Sequence, residues 1–253
     1  MQEINKKQQN KRKGRYLLII IPLILVVFSV IALFPVAEIT YYRIKTDKIS
    51  EPLTIALISD LHSTEYGNAH HRLLRSIARG EPDIIVLAGD IYRSYGDAQS
   101  RESTTKFIEN CAKITTTYFE PGNHETANPD YWQILREVKE TGAIVIDTPF
   151  IDIDDYRILV THYPMDFQFY IGTDWNVDLM LAGHAHGGQV RIPLLFPQGL
   201  YSPDQGRFPK YTGGKYEIND DFTLIVSRGL SKVGPSRFRV FNRPELVFVT
   251  VGE

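Results

Sequence analysis

Residues 53–62 read LTIALISDLH, a run dominated by apolar side chains that stops at Ser59 and is followed by an acid and an imidazole two positions apart. A run of that length without polar alternation fits a strand buried on both faces. The pattern returns at 83–90, DIIVLAGD, which ends on Asp90. It returns at Thr117-Tyr-Phe ahead of Asn123 and His124, at Ile158-Leu-Val ahead of His162, and at Leu179-Met-Leu ahead of His184 and His186. Strand ends of one sheet converge, and open α/β folds take their ligands beyond the carboxyl ends of the strands. Residues far apart in sequence are therefore expected around one point.

Working outward, apolar strand-like runs alternate with amphipathic segments, which is an α/β pattern. The segment 71–79 places Leu73, Leu74 and Ile77 on one helical face, and further helices fit 102–112 and 130–141, the latter stopped by Gly142. Strands fit 143–147, 156–161, 177–182, 222–227 and 246–251, after an extended stretch over 38–51. There is no repeat, low-complexity block or long linker.

Five of the seven histidines stand at these strand ends, beside Asp60, Asp90 and Asn123; only His70 and His71 lie elsewhere. Imidazole, carboxylate and amide donors without thiolate suit Mn, Fe, Co or Zn better than Mg or Ca. The single cysteine, Cys111, excludes a disulfide framework and a cysteine-rich metal site, and reads as a small apolar helix residue.

The net charge of −2 hides a polar arrangement. Residues 1–37 carry six Lys/Arg against one acid, which leaves 22 basic and 29 acidic residues beyond them, a balance of −7. So acidic a domain is a poor general nucleic-acid binder and argues against a nuclease, so no nucleic-acid partner is expected.

Residues 16–37, YLLIIIPLILVVFSVIALFPVA, contain no charge and are long enough to cross roughly 30 Å of hydrocarbon as a helix. Pro22 lies inside the run, where a bilayer tolerates it better than water does. With Lys6, Lys7, Lys11, Arg12, Lys13 and Arg15 ahead of it, the expectation is a basic cytoplasmic tail (1–15), a transmembrane anchor (16–37) and an extracytoplasmic catalytic domain (38–253). A cleaved signal is the alternative, with Val30 and Ala32 as small residues before a cut, but the run exceeds the usual about 7–15 residues. Lys11-Arg12-Lys13 lacks the paired arginines of a twin-arginine signal.

The motifs Asp60-Leu-His62, Gly89-Asp90, Gly122-Asn-His124, Thr161-His162 and Gly183-His-Ala-His186 resemble, in order, those of the calcineurin-like metallophosphoesterase family. The sequence Gly183-His-Ala-His-Gly-Gly-Gln189, with Ser227-Arg-Gly-Leu230 and the closing Pro244-Glu-Leu-Val-Phe-Val run, resembles its membrane-associated bacterial branch. The resemblance implies a sandwich of mixed β-sheets flanked by helices and two divalent transition-metal ions. Asp60, His62 and His186 would hold one metal, Asn123, His162 and His184 the other, with Asp90 bridging. Two such ions about 3.5–4 Å apart share a hydroxide and polarise a phosphate. His124 would act as the catalytic residue, stabilising charge or protonating the leaving oxygen. Gly122, Gly183 and Gly187 are expected to permit the turns between ligands.

Two departures from the family pattern stand out. Arg93 occupies a position where many relatives carry the acid that orients the catalytic histidine, so Asp97 or Glu125 is the expected substitute. The stretch between Gly142 and His162 is short, which implies a less covered cleft, and Tyr163, Phe167, Phe169, Tyr170 and Trp175 follow as lining for an apolar groove or as core. The function implied is hydrolysis of a phosphomonoester, phosphodiester or pyrophosphate in a lipid- or envelope-linked substrate at the membrane. The alternative is an inactive metal-binding scaffold of the same fold.

Overall fold

The computed structural model describes residues 20–24, 26–34, 36–232 and 239–252. They divide into two units after Phe34. In the first, residues 20–24 and 26–32 are helical. Among the described residues no helix is long and apolar enough to cross a membrane. The whole of the expected tail, and residues 16–19, 25 and 35 of the expected span, lie outside the described residues.

The second unit is built on two sheets. The first orders its strands β1 (Glu38–Ile44), β13 (Glu245–Val251), β2 (Leu53–Ile58), β3 (Ile84–Ala88), β4 (Thr116–Glu120) and β5 (Ile144–Val145). The second orders β11 (Gly214–Glu217), β12 (Thr223–Val226), β8 (Leu179–Ala182), β7 (Tyr156–Val160) and β6 (Phe150–Ile153). A two-stranded hairpin, β9 (Tyr201–Ser202) with β10 (Gly206–Arg207), stands apart from both.

The period-two geometry of a strand explains why the apolar runs are unbroken. In β2, Leu57 and Ile55 point between the sheets and meet Ile158, Val160, Leu179 and Ile225 of the second sheet. Ala56 and Ile58 point the other way, toward Leu73, Ile77, Phe107, Ile108 and Val138 on the helices. The outer face of the second sheet, with Leu159, Met180 and Leu224, is covered by Phe167, Phe222 and neighbouring aromatics instead of long helices. The layers are thus helices, sheet, sheet and a thin cover, matching the expected sandwich of mixed sheets.

Three differences from the sequence reading have local causes. The helix expected from residue 102 begins at Ala98, because its first turn is polar and is set by Asp97, whose carboxylate accepts the Ser100 N–H at 2.7 Å. The strand expected from residue 177 begins at Leu179, because the Asp178 carboxylate is engaged by Lys48 Nζ at 2.5 Å and the Arg157 N–H at 2.7 Å. Strands β6 and β11 were not expected; both are edge strands whose exposed polar residues, Asp152, Lys215 and Glu217, break the apolar run that marks the interior strands β8 and β12.

The direction of the strands positions the site. Strands β2, β3 and β4 run parallel, as do β7, β8 and β12, so their carboxyl ends share one edge of the sandwich. Strand β1 is parallel to β13 and β13 antiparallel to β2, so β1 begins at the edge where β2 ends.

Candidate metal centre

At that edge the chain leaves the strands in sharp turns, and the backbone strain falls on the polar residues themselves. Asp60, His62, Asp90, His184 and His186 all have positive φ, between 47° and 64°. A non-glycine residue there costs on the order of 1–3 kcal/mol, and it persists only where the surroundings over-determine it. The glycines serve differently from expectation. Of Gly122, Gly183 and Gly187, only Gly187 has a positive φ. Gly122 is needed for space: a Cβ would sit 2.3 Å from Asp90 Oδ1, and one on Gly183 would sit 2.6 Å from Asp60 Oδ2.

Hydrogen bonds lock the turns across both sheets. Asp60 N–H donates to Gly89 O at 3.0 Å and His62 N–H to Asp90 O at 2.9 Å. From the second sheet, His184 N–H reaches both Asp60 carboxylate oxygens, at 3.1 and 3.0 Å. His162 Nδ1 lies 2.9 Å from Ala88 O. A carbonyl only accepts, so Nδ1 carries the hydrogen and Nε2 is left facing the cluster.

Three donor groups result: Asp60, His62 and His186; His62, Asp90 and His124; and Asp90, His162 and His184. Within each, one donor atom per residue lies within 4.8 Å of the others. His186 Nε2 is 3.3 Å from Asp60 Oδ1, and His162 Nε2 is 3.2 Å from Asp90 Oδ2. His62 and His124 approach Asp90 Oδ2 at 3.8 and 3.9 Å. Asn123, next to His124 at the start of the helical turn Asn123–Thr126, has a buried Oδ1 with no hydrogen-bond partner among the described residues. All seven expected metal-site residues and His124 therefore come to one edge.

The electrostatics keep three of the imidazoles neutral and Asp90 ionised. Burial pushes the Asp60 carboxyl up to about 6, with the nearby Asp90 charge adding to it. Burial acts on Asp90 in the same sense, but His162 and the other imidazoles outweigh it and hold Asp90 low. Burial pulls His62 down to about 3 and His184 to about 4, and lowers His186 strongly, so these imidazoles keep free lone pairs. At His162 burial is overridden by Asp90 and Asp60, which raise it to about 10. The donor set, the neutral imidazoles and the unpaired Asn123 Oδ1 fit divalent metal ions.

Several residues act differently from the sequence reading. Neither expected substitute orients His124. Asp97 is an exposed helix cap, and buried Glu125 accepts the backbone N–H groups of Asp90, Gly122 and Tyr92 at 2.9, 2.7 and 2.7 Å. Glu125 thus holds the Asp90 loop to the Gly122 turn, while His124 Nδ1 has no partner among the described residues. Arg93 Nε donates to His62 O at 2.9 Å, joining the two loops behind the cluster. The aromatic set does not form one groove: Phe167 is core, Tyr170 and Trp175 pack on Phe150, Phe169 is exposed, and only Tyr163 meets the centre, 4.5 Å from the His184 ring. Sequence reasoning missed Asn242, whose Nδ2 donates to His186 O at 2.7 Å and Gln189 O at 3.1 Å. No local pattern marks an asparagine so far along the chain as a brace for that turn.

A two-sheet α/β sandwich that gathers five imidazoles, two carboxylates and an amide at its parallel-strand ends defines a metal-binding hydrolase architecture. The calcineurin-like phosphoesterase model matches residues 53–188, more than half of the chain, and the chain belongs to that family. It is a metal-dependent phosphoesterase. It is 25% identical to an "uncharacterized metallophosphoesterase" of Campylobacter jejuni over 92% of this chain and 68% of that protein. It is 25% identical to another of that description from Bacillus subtilis, over 85% of each chain. A "transmembrane protein with metallophosphoesterase domain" from Bos taurus is 24% identical over 72% of this chain and 49% of its own length.

Because a Cβ at Gly122 would enter the space of Asp90, Gly122→Ala is expected to lower metal affinity by about 10- to 100-fold, as displaced support around a ligand does. Metal titration by calorimetry, with circular dichroism as a fold check, measures this; unchanged affinity would show that Asp90 is not held by that contact.

Proposed function

We propose that the cluster is a dinuclear centre, with Asp60, His62 and His186 on one ion, Asn123, His162 and His184 on the other, and Asp90 between them. The observation that carries this reading is that Asp90 belongs to two of the three donor groups, so its carboxylate is within reach of imidazoles on both sides. The ions would be Mn, Zn, Fe or Co, in keeping with a nitrogen-rich donor set. When bound, such a pair supplies an activated water and Lewis-acid polarisation of the phosphate.

The chain's own residues do the rest. Asp90 would hold both ions, and the His162 Nδ1–H bond to Ala88 O leaves Nε2 as the nitrogen facing Asp90. His124, the most exposed imidazole of the set at 36% of its side chain, is placed to give a proton to the leaving oxygen. The substrates are phosphomonoesters, phosphodiesters or pyrophosphates. The uncharged run of 16–37, its basic flank and the name of the bovine relative support a single-pass protein whose catalytic domain lies outside the cytoplasm and whose substrate is linked to lipid or envelope.

Asp90→Ala is expected to lose both metals and all turnover, read by elemental analysis of the purified chain; two metals retained would sink the bridging assignment. His124 also lies in a donor group, so its variant separates acid from ligand. His124→Ala should keep both metals and lose about 10²- to 10⁴-fold in turnover, more for alkyl than for nitrophenyl esters, whose leaving groups need no proton. Loss of metal would make it a ligand, and an unchanged alkyl-ester rate would remove it from the mechanism. For topology, an enzyme reporter fused after Glu253 should be active only outside the cytoplasm; activity inside would reverse the orientation.

A further inference from the structure

The segment 190–210 leaves the metal centre directly and presents apolar side chains that no large apolar cluster of the described residues covers. Ile192 and Phe196 close on each other through two backbone hydrogen bonds, 3.2 Å from Ile192 N to Phe196 O and 2.8 Å in return. Their turn holds Leu194 and Leu195 at its tip, 99% and 71% exposed. Phe208, 64% exposed, stacks beside Phe196 with ring centroids 5.2 Å apart, and Tyr201 is exposed on the adjoining hairpin. Leu194 also has a φ of 70°, a conformation that a leucine adopts only when held there. A closed turn that spends backbone strain to display two leucines is a built feature, unlike a scattered surface leucine.

Charge and position both say what this tip meets. Residues 190–210 carry three Lys/Arg and one acid in a domain that is otherwise strongly acidic, and Arg207 and Lys210 are exposed and flank Phe208 in sequence. Apolar tips flanked by cations are the chemistry of an anionic lipid surface. The base of the segment lies where the catalytic domain begins. Arg191 N–H donates to Val240 O at 2.9 Å, and three residues on, Arg243 Nε donates to Val36 O at 3.0 Å. Only three residues separate the uncharged run's Phe34 from β1, which starts at Glu38 on the metal-bearing edge.

We infer that the 192–196 turn, with Tyr201 and Phe208, inserts into the headgroup region of an anionic phospholipid bilayer, so that the centre faces that surface and takes a phosphoester carried by a lipid headgroup. This rests on the phosphoesterase and anchor readings above and names the substrate class of the same site. The turn is joined to the centre rigidly: Arg191 Nε donates to Gly187 O at 2.7 Å and Leu200 N–H to Gly188 O at 3.0 Å, one and two residues after His186. Seating the tip therefore fixes the height of the centre above the lipid. A soluble ester needs no such seating.

Cys111 is the chain's sole cysteine and is buried, so an introduced cysteine takes a probe alone. The full-length chain bearing Leu194→Cys, labelled with an environment-sensitive fluorophore, is reconstituted in nanodiscs of phosphatidylglycerol and phosphatidylcholine. Lys113→Cys, exposed at the end of the helix Ala98–Ile114 on the opposite edge, is the comparison. The expected result is a blue-shifted probe at 194, quenched by brominated lipid and shielded from aqueous iodide, with the reverse at 113. Equal iodide quenching at the two positions overturns the inference. So does protection at 194 without lipid quenching, which would mean a protein contact, and equal insertion into pure phosphatidylcholine overturns the anionic preference. Leu194→Asp with Leu195→Asp is expected to abolish insertion of a probe at Phe196→Cys while leaving bis(p-nitrophenyl) phosphate turnover within twofold. Absence of turnover in the wild-type chain on bis(p-nitrophenyl) phosphate, p-nitrophenyl phosphate and pyrophosphate alike would strike the phosphoesterase reading alone, whereas failure to enter the discs would strike the anchor.

Discussion

Two carboxylates, Asp60 and Asp90, are buried side by side at one edge of the sandwich, and much of the structure around them follows from that. Buried charge is tolerated only when it is paired, hydrogen-bonded or bound to a cation. Asp60 takes the His184 N–H from the other sheet, and Asp90 takes the His124 N–H at 2.7 Å. Of the imidazoles whose protonation is perturbed there, three are driven toward neutrality and one toward charge. A divalent cation would answer both carboxylates from one place, and the imidazoles driven toward neutrality keep lone pairs for it.

The fold pays for this edge in backbone strain. Five of the residues that meet there adopt left-handed conformations, and the compensation is spread through both sheets. Glu125 pins three backbone N–H groups, Asn242 braces the His186 turn, and the inter-sheet core of Leu57, Val86, Ile158 and Leu181 keeps the two sets of strand ends in register. None of these contacts touches a substrate. Their work is to hold ligands before any metal arrives, so little ordering remains to be done on binding.

Exposure is distributed as unevenly as strain. The core is closed on both faces of the first sheet, yet the segment that follows the last histidine displays leucines and a phenylalanine, the last flanked in sequence by cations. The first strand enters at that same edge, so chain entry, metal cluster and apolar tip share one side of the catalytic domain.

The sequence by itself determined the strand-end pattern and hence the fold class and the eight residues of the cluster. Unbroken apolar runs ending on Asp, Asn or His are short-range features, and parallel strands bring such ends together whatever their separation along the chain. Only the tertiary structure decided how those residues are held. Glu125 read as a possible partner of His124 but is buried on three backbone N–H groups, a role set by the Asp90 loop, 35 residues earlier. Gly122 read as a turn residue but answers to the position of Asp90 Oδ1. The aromatic run after His162 read either as groove lining or as core, and the second sheet divided it between core and surface. Composition and period carry what a residue is and which face it takes; what it touches depends on chain that is distant in sequence, and that information exists only once the sheets have packed.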